Sequence, residues 1–232
     1  NKYHDRKSYA WLLLVGFVMI WIILAFNVTY RDDWLLENYL TIPFVLLLLV
    51  ISKWFKLSKT SYSLIFIYTT LHIIGSHYTY GDVPFGYWLQ NFFHLGRNHY
   101  DRIVHFSFGF LLSYPVREIF IRIGKQKGIW ALYSPIMLVL GLSCVYELIE
   151  WGVALKYGGD LGIAYLGSQG DIWDAQQDMF VAGIGSILAM TITAITVFAF
   201  RGKEYWKEIK ESFRVEAPEQ GEVALQRFSR NK

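Results

Sequence analysis

Apolar residues along this chain gather into long runs separated by short polar connections. A helix of roughly 20 mainly apolar residues spans the hydrocarbon layer of a membrane, because every backbone N–H and C=O within it is satisfied internally. Six runs approach that length: residues 10–28, 35–52, 62–76, 101–121, 129–155 and 171–200. The first is too long, and followed by too polar a hairpin, for a typical cleaved signal peptide, so it reads as a signal anchor or first span. The second has Glu37 near its start as its only interior charge and Pro43 as a candidate kink. The third is short, which suggests that its helix begins in the basic connection before it. The fourth carries His105 and, towards its far end, Pro115; the fifth carries Glu147 and Glu150.

The connections fit the same picture. Residues 77–100 form the longest and most aromatic one, and Trp and Tyr favour the water–lipid boundary, so this piece is expected along the membrane surface with a short helix near 85–95. Its His94, Arg97, His99 and Asp101 exceed what anchoring requires. Residues 156–170 are glycine-rich and suit a mobile flap over a bound group, but they lack the order of a phosphate-binding loop. After the sixth run, Tyr205, Trp206, Ile209 and Phe213 recur at helical spacing among Lys and Glu, and 216–232 is polar enough to stay disordered. The pattern thus predicts an all-α polytopic membrane protein. Residues 1–202 form a bundle of about six transmembrane helices, and 203–232 a cytoplasmic C-terminal amphipathic helix and polar tail.

Composition agrees, with 54% of residues apolar. Charge adds orientation. Lys2, Arg6 and Lys7 precede the first run; Lys53, Lys56 and Lys59 follow the second; Arg117, Arg122, Lys125 and Lys127 close the fourth; Arg201, Lys203, Lys207 and Lys210 follow the sixth. With six spans all four groups fall on one side, and the rule that basic loops stay inside makes that side, and both termini, cytoplasmic. The formal charge of +3 therefore reflects membrane anchoring, and the expected partner is membrane lipid, with no nucleic acid. The oligomeric state is left open. The single cysteine, Cys144, lies inside the fifth run, where it can form no intrachain disulfide and suits apolar packing.

The chemistry gathers on the outer side, whose connections (30–34, 77–100 and 156–170) are poor in Lys and Arg. In GSQGDIWDAQQDM, residues 167–179, a helix starting near Asp171 places Asp171, Asp174 and Asp178 at i, i+3 and i+7 on one face, which continues into Ala182, Gly185 and Ala189. Small residues at that period let a second helix approach closely, so the acids should point into the bundle. At ~1.5 Å of rise per residue, Asp178 lies roughly 10 Å and His105 roughly 6 Å below that surface. Glu147 and Glu150 sit one to two turns short of the same end, and His72 about one turn. A charged side chain at mid-membrane costs on the order of 3 kcal/mol and several unpaired in one pocket on the order of 10 kcal/mol, comparable to a domain's whole stability. Protonation, Arg97 or Arg102, the imidazoles or a bound cation must offset that.

Pairs of His and carboxylate at i+3 or i+4, here Asp101 with His105, Glu147 with Glu150 and Asp174 with Asp178, are what a metal site inside a helix bundle uses. The candidate ligands are His105, Glu150, Asp178, Asp101 and His72, and the candidate cofactor is a divalent ion, Zn, Mg or Mn. Glu147, Asp174 and His99 are candidate catalytic groups, and Arg97, Arg102 and His77 candidate substrate contacts. His77 joins them only if the third helix ends at Gly75. Asp82, His94 and His99 are candidates for rim residues or ligands; for His94 a plain interfacial imidazole is the favoured reading.

Three stretches, HYDRIVHFSFGFLLSYPVRE at 99–118, YELIEW at 146–151 and GSQGDIWDAQQDM, resemble the YjdF-like family of uncharacterised bacterial inner-membrane proteins over roughly 72–185. The resemblance implies a multi-span protein of the bacterial inner membrane and brings no reaction with it. A more distant likeness is to VanZ-like proteins, associated with resistance to teicoplanin. Their D[KR]xxHF, ExxQ and DxxxN patterns have counterparts in Asp101 to Phe106, in Glu147 with Glu150, and in Asp174 with Asp178. This chain has Glu150 where that pattern has Gln and Asp178 where it has Asn, so its site is more acidic.

The function expected is an intramembrane enzyme, a metal-dependent hydrolase acting on a lipid or lipid-linked head group at the outer leaflet. The alternatives are a non-catalytic accessory protein whose polar cluster fixes helix packing, and a proton- or cation-coupled transporter. No GxSxG elbow is present.

Overall fold

Each predicted apolar run coincides with a helix. The computed structural model describes residues 2–159, 162, 166, 168–215 and 221, with side chains from residue 6 onward. Among them are eight helices and no strand: α1 Lys2–Leu24, α2 Arg31–Ile51, α3 Lys59–Tyr78, α4 Pro84–Phe93, α5 Tyr100–Arg122, α6 Trp130–Tyr157, α7 Asp174–Arg201 and α8 Lys203–Glu211. Residues 160, 161, 163–165 and 167 of the expected glycine-rich flap, and all of the polar tail but residue 221, lie outside the described residues. Helix α3 begins in the basic connection, as its short apolar run suggested. The Ser58 side chain accepts from the Ser61 amide at its first turn, and Glu118 of α5 accepts from Ser58 N (3.0 Å) and Ser61 Oγ (2.6 Å).

Four helices are long and apolar enough to cross a membrane: Arg6–Leu24 of α1, α2, α6 and α7. Helices α3 and α5 fall outside that set. The reason is position. Helix α5 packs against α3, α6 and α7, and α3 against α1, α2 and α5, so these two form the middle of the bundle, where side chains meet other helices. A helix that faces protein can carry Asp101, Arg102 and His105. Burial is accordingly inverted relative to a protein in water. Asp33, Glu37, His72, Asp101, Arg102, His105, Glu147, Asp174 and Asp178 are buried, while Leu12, Ile23, Leu155, Phe180 and Ile195 are exposed. Apolar surface so extensive is stable only against lipid.

The α5–α7 pair is the most extensive helix contact and depends on missing side chains. A Cβ added at Gly109 would strike the Ala182 carbonyl oxygen, and one at Gly185 the Phe106 carbonyl oxygen. Ser113 and Ser186 meet across the same seam at 2.6 Å. The predicted stripe Ala182, Gly185 and Ala189 therefore works as expected: the two backbones approach until dispersion and interhelical hydrogen bonds hold them, the terms available between helices in lipid.

The two ends of the bundle differ. At one end, α8 follows α7 directly and clasps the α5–α6 connection: Glu208 accepts from the Gly128 amide (3.0 Å), Ser212 Oγ from the Ile129 amide (3.1 Å), and the Ser212 carbonyl from the Trp130 indole (2.8 Å). Tyr205 is buried beneath α8 and Trp206 is exposed. At the other end lies α4, which exposes Phe85, Trp88, Phe92 and Phe93. The polar groups collect towards this α4 end.

Candidate functional site

The start of α7 builds the site. Helix α7 opens at Asp174, three residues later than expected, because Asp171 Oδ1 accepts from the Trp173 amide (2.9 Å) in a turn just outside the helix. That bond, together with the nearby guanidiniums of Arg102 and Arg97, holds the Asp171 carboxyl below the usual carboxylate range. Asp174 and Asp178 share one face of α7, Asp171 stands in the turn before it, and Arg102 of α5 meets all three. Its Nη2 donates to Asp174 Oδ1 (2.8 Å), Asp171 Oδ2 (3.3 Å) and Gln177 Oε1 (3.2 Å), and its Nη1 pairs with Asp178 Oδ2. The planar fork of arginine suits such multiple pairing. Arg97 Nη1 donates to Asp174 Oδ1 (2.6 Å) and the Ser168 carbonyl (2.9 Å).

An amide clasp fixes the loops above. The Asn98 amide donates to Gln169 Oε1 (3.1 Å) and Gln169 Nε2 donates to the Asn98 carbonyl (2.9 Å), while Asn98 Nδ2 reaches the Val83 carbonyl (3.1 Å). His99 stands at this rim, and partial burial, then the charges of Arg97 and Arg102, hold it below the ordinary histidine range.

One turn deeper, Asp101, His105 and Asp178 each offer a ligand atom within 4.8 Å of the others. His105 Nε2 lies 3.5 Å from Asp101 Oδ1 and 3.7 Å from Glu147 Oε1, too far for good hydrogen bonds. Glu147 Oε1 and Asp178 Oδ1 are buried and have no hydrogen-bond partner among the described residues. Glu150 is partly buried on the next turn, within electrostatic reach of Glu147, Asp101, Glu37 and Asp178.

The polar region continues towards α2 and α3. The Tyr146 ring meets His105 edge-on, with centroids 5.6 Å apart, and its hydroxyl donates to Glu37 Oε2 (3.1 Å). Glu37 stands 3.9 Å from His72 Nε2. His72 itself is bonded at both nitrogens, to Thr41 Oγ1 (2.8 Å) and the Tyr80 hydroxyl (2.5 Å). Tyr80 reaches back because α3 ends in a left-handed turn at Thr79 and Tyr80, folding its ring over Gly75, where a Cβ would collide with it.

Towards the α8 end of His105 and His72 lies a cavity of about 350 Å³. Its walls include Leu40, Phe44 and Leu48 of α2, Phe108, Leu112 and Ile119 of α5, and Val139, Leu142 and Ser143 of α6. Ser143 Oγ is buried without a hydrogen-bond partner.

The structure thus brings together Asp101, His105, Glu147 and Asp178, with Glu150 beside them, and a second group, Arg97, Arg102, Asp171 and Asp174, at the rim. Three expectations need correction. His72 is not arranged as a ligand, because two hydroxyls hold its ring nitrogens. Asp174 is not a free base, because Oδ1 takes both Arg97 and Arg102. His77 is not at the site: α3 runs on to Tyr78, which turns His77 onto the Leu24 carbonyl of α1 (2.7 Å). Asp82 accepts from Tyr87 at 2.6 Å and His94 is the exposed C-cap of α4. Glu37, Tyr80, Tyr146, Asn98 and Gln169 went unpredicted; a lone carboxylate inside an apolar run was the one signal for Glu37.

Comparison with known proteins places these residues inside a shared region. The family model described as a predicted membrane protein (DUF2238) matches residues 9–198. The chain is 36% identical over 162 residues to the inner membrane protein YjdF of Escherichia coli (strain K12), covering 69% of this chain and 77% of that protein. No solved structure matches the chain. The likeness to VanZ-like proteins rests on motif spacing alone.

Proposed function

The chain belongs to the family described as predicted membrane proteins (DUF2238), and from that premise we propose that it is a six-span protein of the bacterial inner membrane holding a divalent cation among α5, α6 and α7. On this reading it is an enzyme that acts on the head group of a lipid or lipid-linked substrate. The observation that carries the reading is the set of oxygens around His105. Asp178 Oδ1 and Glu147 Oε1 are buried and unpartnered, and Asp101 Oδ1 is set off from Nε2 by more than a hydrogen bond. Asp178 has Arg102 on its other oxygen, but Asp101 and Glu147 have no guanidinium in pairing distance among the described residues, and carboxylates so buried cost several kcal/mol each unless a positive charge meets them. Zn, Mg or Mn accept such a mixed donor set.

Each residue has a task in this scheme. Asp101, His105 and Asp178 are the ligands. Arg102 holds Asp178 by Oδ2 and so presents Oδ1, as outer partners orient metal ligands. Asp174 anchors Arg97 and Arg102. Glu147, with one buried oxygen facing His105, serves as general base in this scheme. A cation there would polarise a phosphoryl or acyl oxygen or activate water.

The six-span arrangement adds α3 and α5 to the four apolar helices, and they are 20 and 23 residues long, roughly 30 Å and 35 Å at ~1.5 Å per residue. Basic residues of the α2–α3, α5–α6 and α7–α8 connections lie at the α8 end, which is therefore cytoplasmic. The transporter alternative fits less well, since past Thr69 and Ser143 the cavity wall towards that end is Leu48, Leu57, Leu112, Val116 and Ile119, which provide no relay.

Metal analysis of the purified protein tests the reading. About one divalent ion per chain is expected, lost in Asp178→Asn and in His105→Gln. Absence of metal from the parent protein, or full occupancy in both variants, refutes it.

A further inference from the structure

The cavity beside the proposed cation site has the form of a lipid-chain seat. Along α5 its wall runs from His105 through Phe108, Leu112 and Val116 to Ile119, and the step from 105 to 119 rises about 21 Å at ~1.5 Å per residue. Polar groups, among them Thr41, Thr69, His72 and Ser143, line the half nearer His105; Leu57, Leu112 and Ile119 close the far end. The far end gives water no partners, whereas hydrocarbon fits it.

The cavity also has a side opening. Helix α2 packs on α3 and leaves α6 across a gap, which the Tyr146–Glu37 hydrogen bond bridges at the polar end. Leu142, Val145 and Ile149 of α6 line the cavity and are at the same time exposed on the surface. In a bundle surrounded by lipid, that slot faces acyl chains.

We propose that the cavity seats one acyl chain of a membrane phospholipid, entering sideways between α2 and α6, with the ester end of the chain at Thr41, Tyr146 and His105. The lipid head group then lies beside Glu147 and Asp178. This seat deepens the function proposed above and rests on it for the use made of the head group; the seating of the chain does not need the cation.

The test uses the full chain in vesicles of phosphatidylethanolamine and phosphatidylglycerol containing a phospholipid with a diazirine near the end of one acyl chain. After irradiation, peptide mass spectrometry should find label at Leu112, Val116 or Ile119 in addition to outward residues such as Leu46 and Ile187. Filling the cavity by Ser143→Leu or, as a second variant, Val139→Phe should remove the α5 label and leave that at Ile187. Label confined to the outward residues in the parent chain overturns the proposal, as does α5 label that persists in either variant when it is folded. Repeating the labelling with Asp178→Asn in EDTA separates the two readings. Cavity label that persists there supports the seat as independent of the cation, whereas its loss alongside retained metal in the parent overturns that independence.

Discussion

Replacing Arg102 with methionine should unfold the site from one identifiable atom pair. Arg102 touches three acids, and they lose it unequally. Asp174 keeps Arg97 at 2.6 Å, and Asp171, a quarter exposed, keeps the Trp173 amide and Gln177. Asp178, whose side chain is 2% exposed, loses the guanidinium on Oδ2 and already has an unpartnered Oδ1. Removing one partner of a buried ion pair costs about 3–5 kcal/mol, because the other charge stays desolvated. That corresponds to roughly a hundredfold to several-thousandfold in the unfolding equilibrium. Arg97→Met should cost less, about 1.5–3 kcal/mol, since it removes charged hydrogen bonds from an acid that retains a second arginine. The double change Arg102→Met with Asp178→Leu should recover most of the loss, because it removes the stranded charge. The assay is unfolding by SDS in mixed micelles, followed by far-UV circular dichroism with EDTA present so that no cation substitutes for the guanidinium. A loss below about 1 kcal/mol in Arg102→Met, or a double variant as unstable as the single one, would refute the argument.

Two further outcomes are expected. Gly185→Val should separate α5 from α7 and destabilise by about 1–3 kcal/mol or more in the same assay, whereas Gly152→Ala on α6, where an added Cβ meets nothing within 4 Å, should be neutral or stabilise by about 0.5–1 kcal/mol. In a Cys144→Ala background, Gly96→Cys should react with a membrane-impermeant maleimide in spheroplasts and Lys125→Cys only after permeabilisation; the reverse pattern would invert the proposed orientation.

The helices were legible because apolar runs of membrane length leave few alternatives, and the acid stripe on α7 was legible because i, i+3, i+7 spacing is local. Partners were harder. Arg102 lies in the same sequence motif as Asp101 and His105, yet which acid it meets depends on how α5 rotates against α7, and that rotation is set by Gly109 and Gly185. Glu37 is separated from Tyr146 by 109 positions, and no periodicity reports a contact of that range. His72 was placed at the correct depth, but its hydroxyl partners arrive from α2 and from a left-handed turn that a Thr-Tyr pair does not advertise. His77 shows the opposite case. Its orientation followed from where α3 stops, and three residues of helix beyond Gly75 decided it.

The Arg102 network also constrains how the protein is made. The acids that neutralise Arg102 lie in the last long helix, 72 residues downstream in the case of Asp174. At a synthesis rate of ~5–20 residues per second, α5 leaves the ribosome about 4–14 s before those carboxylates exist. For that interval α5 holds an arginine without its counter-charges, and only the place of Arg102 in the first turn, within snorkelling reach of the head groups, keeps it solvated. The buried contact between α5 and α7 therefore completes only when Asp174 and Asp178 have been made. Burial of Arg102 thus waits on α7, and chains truncated before Asp174 should be degraded faster than the full chain in a pulse-chase.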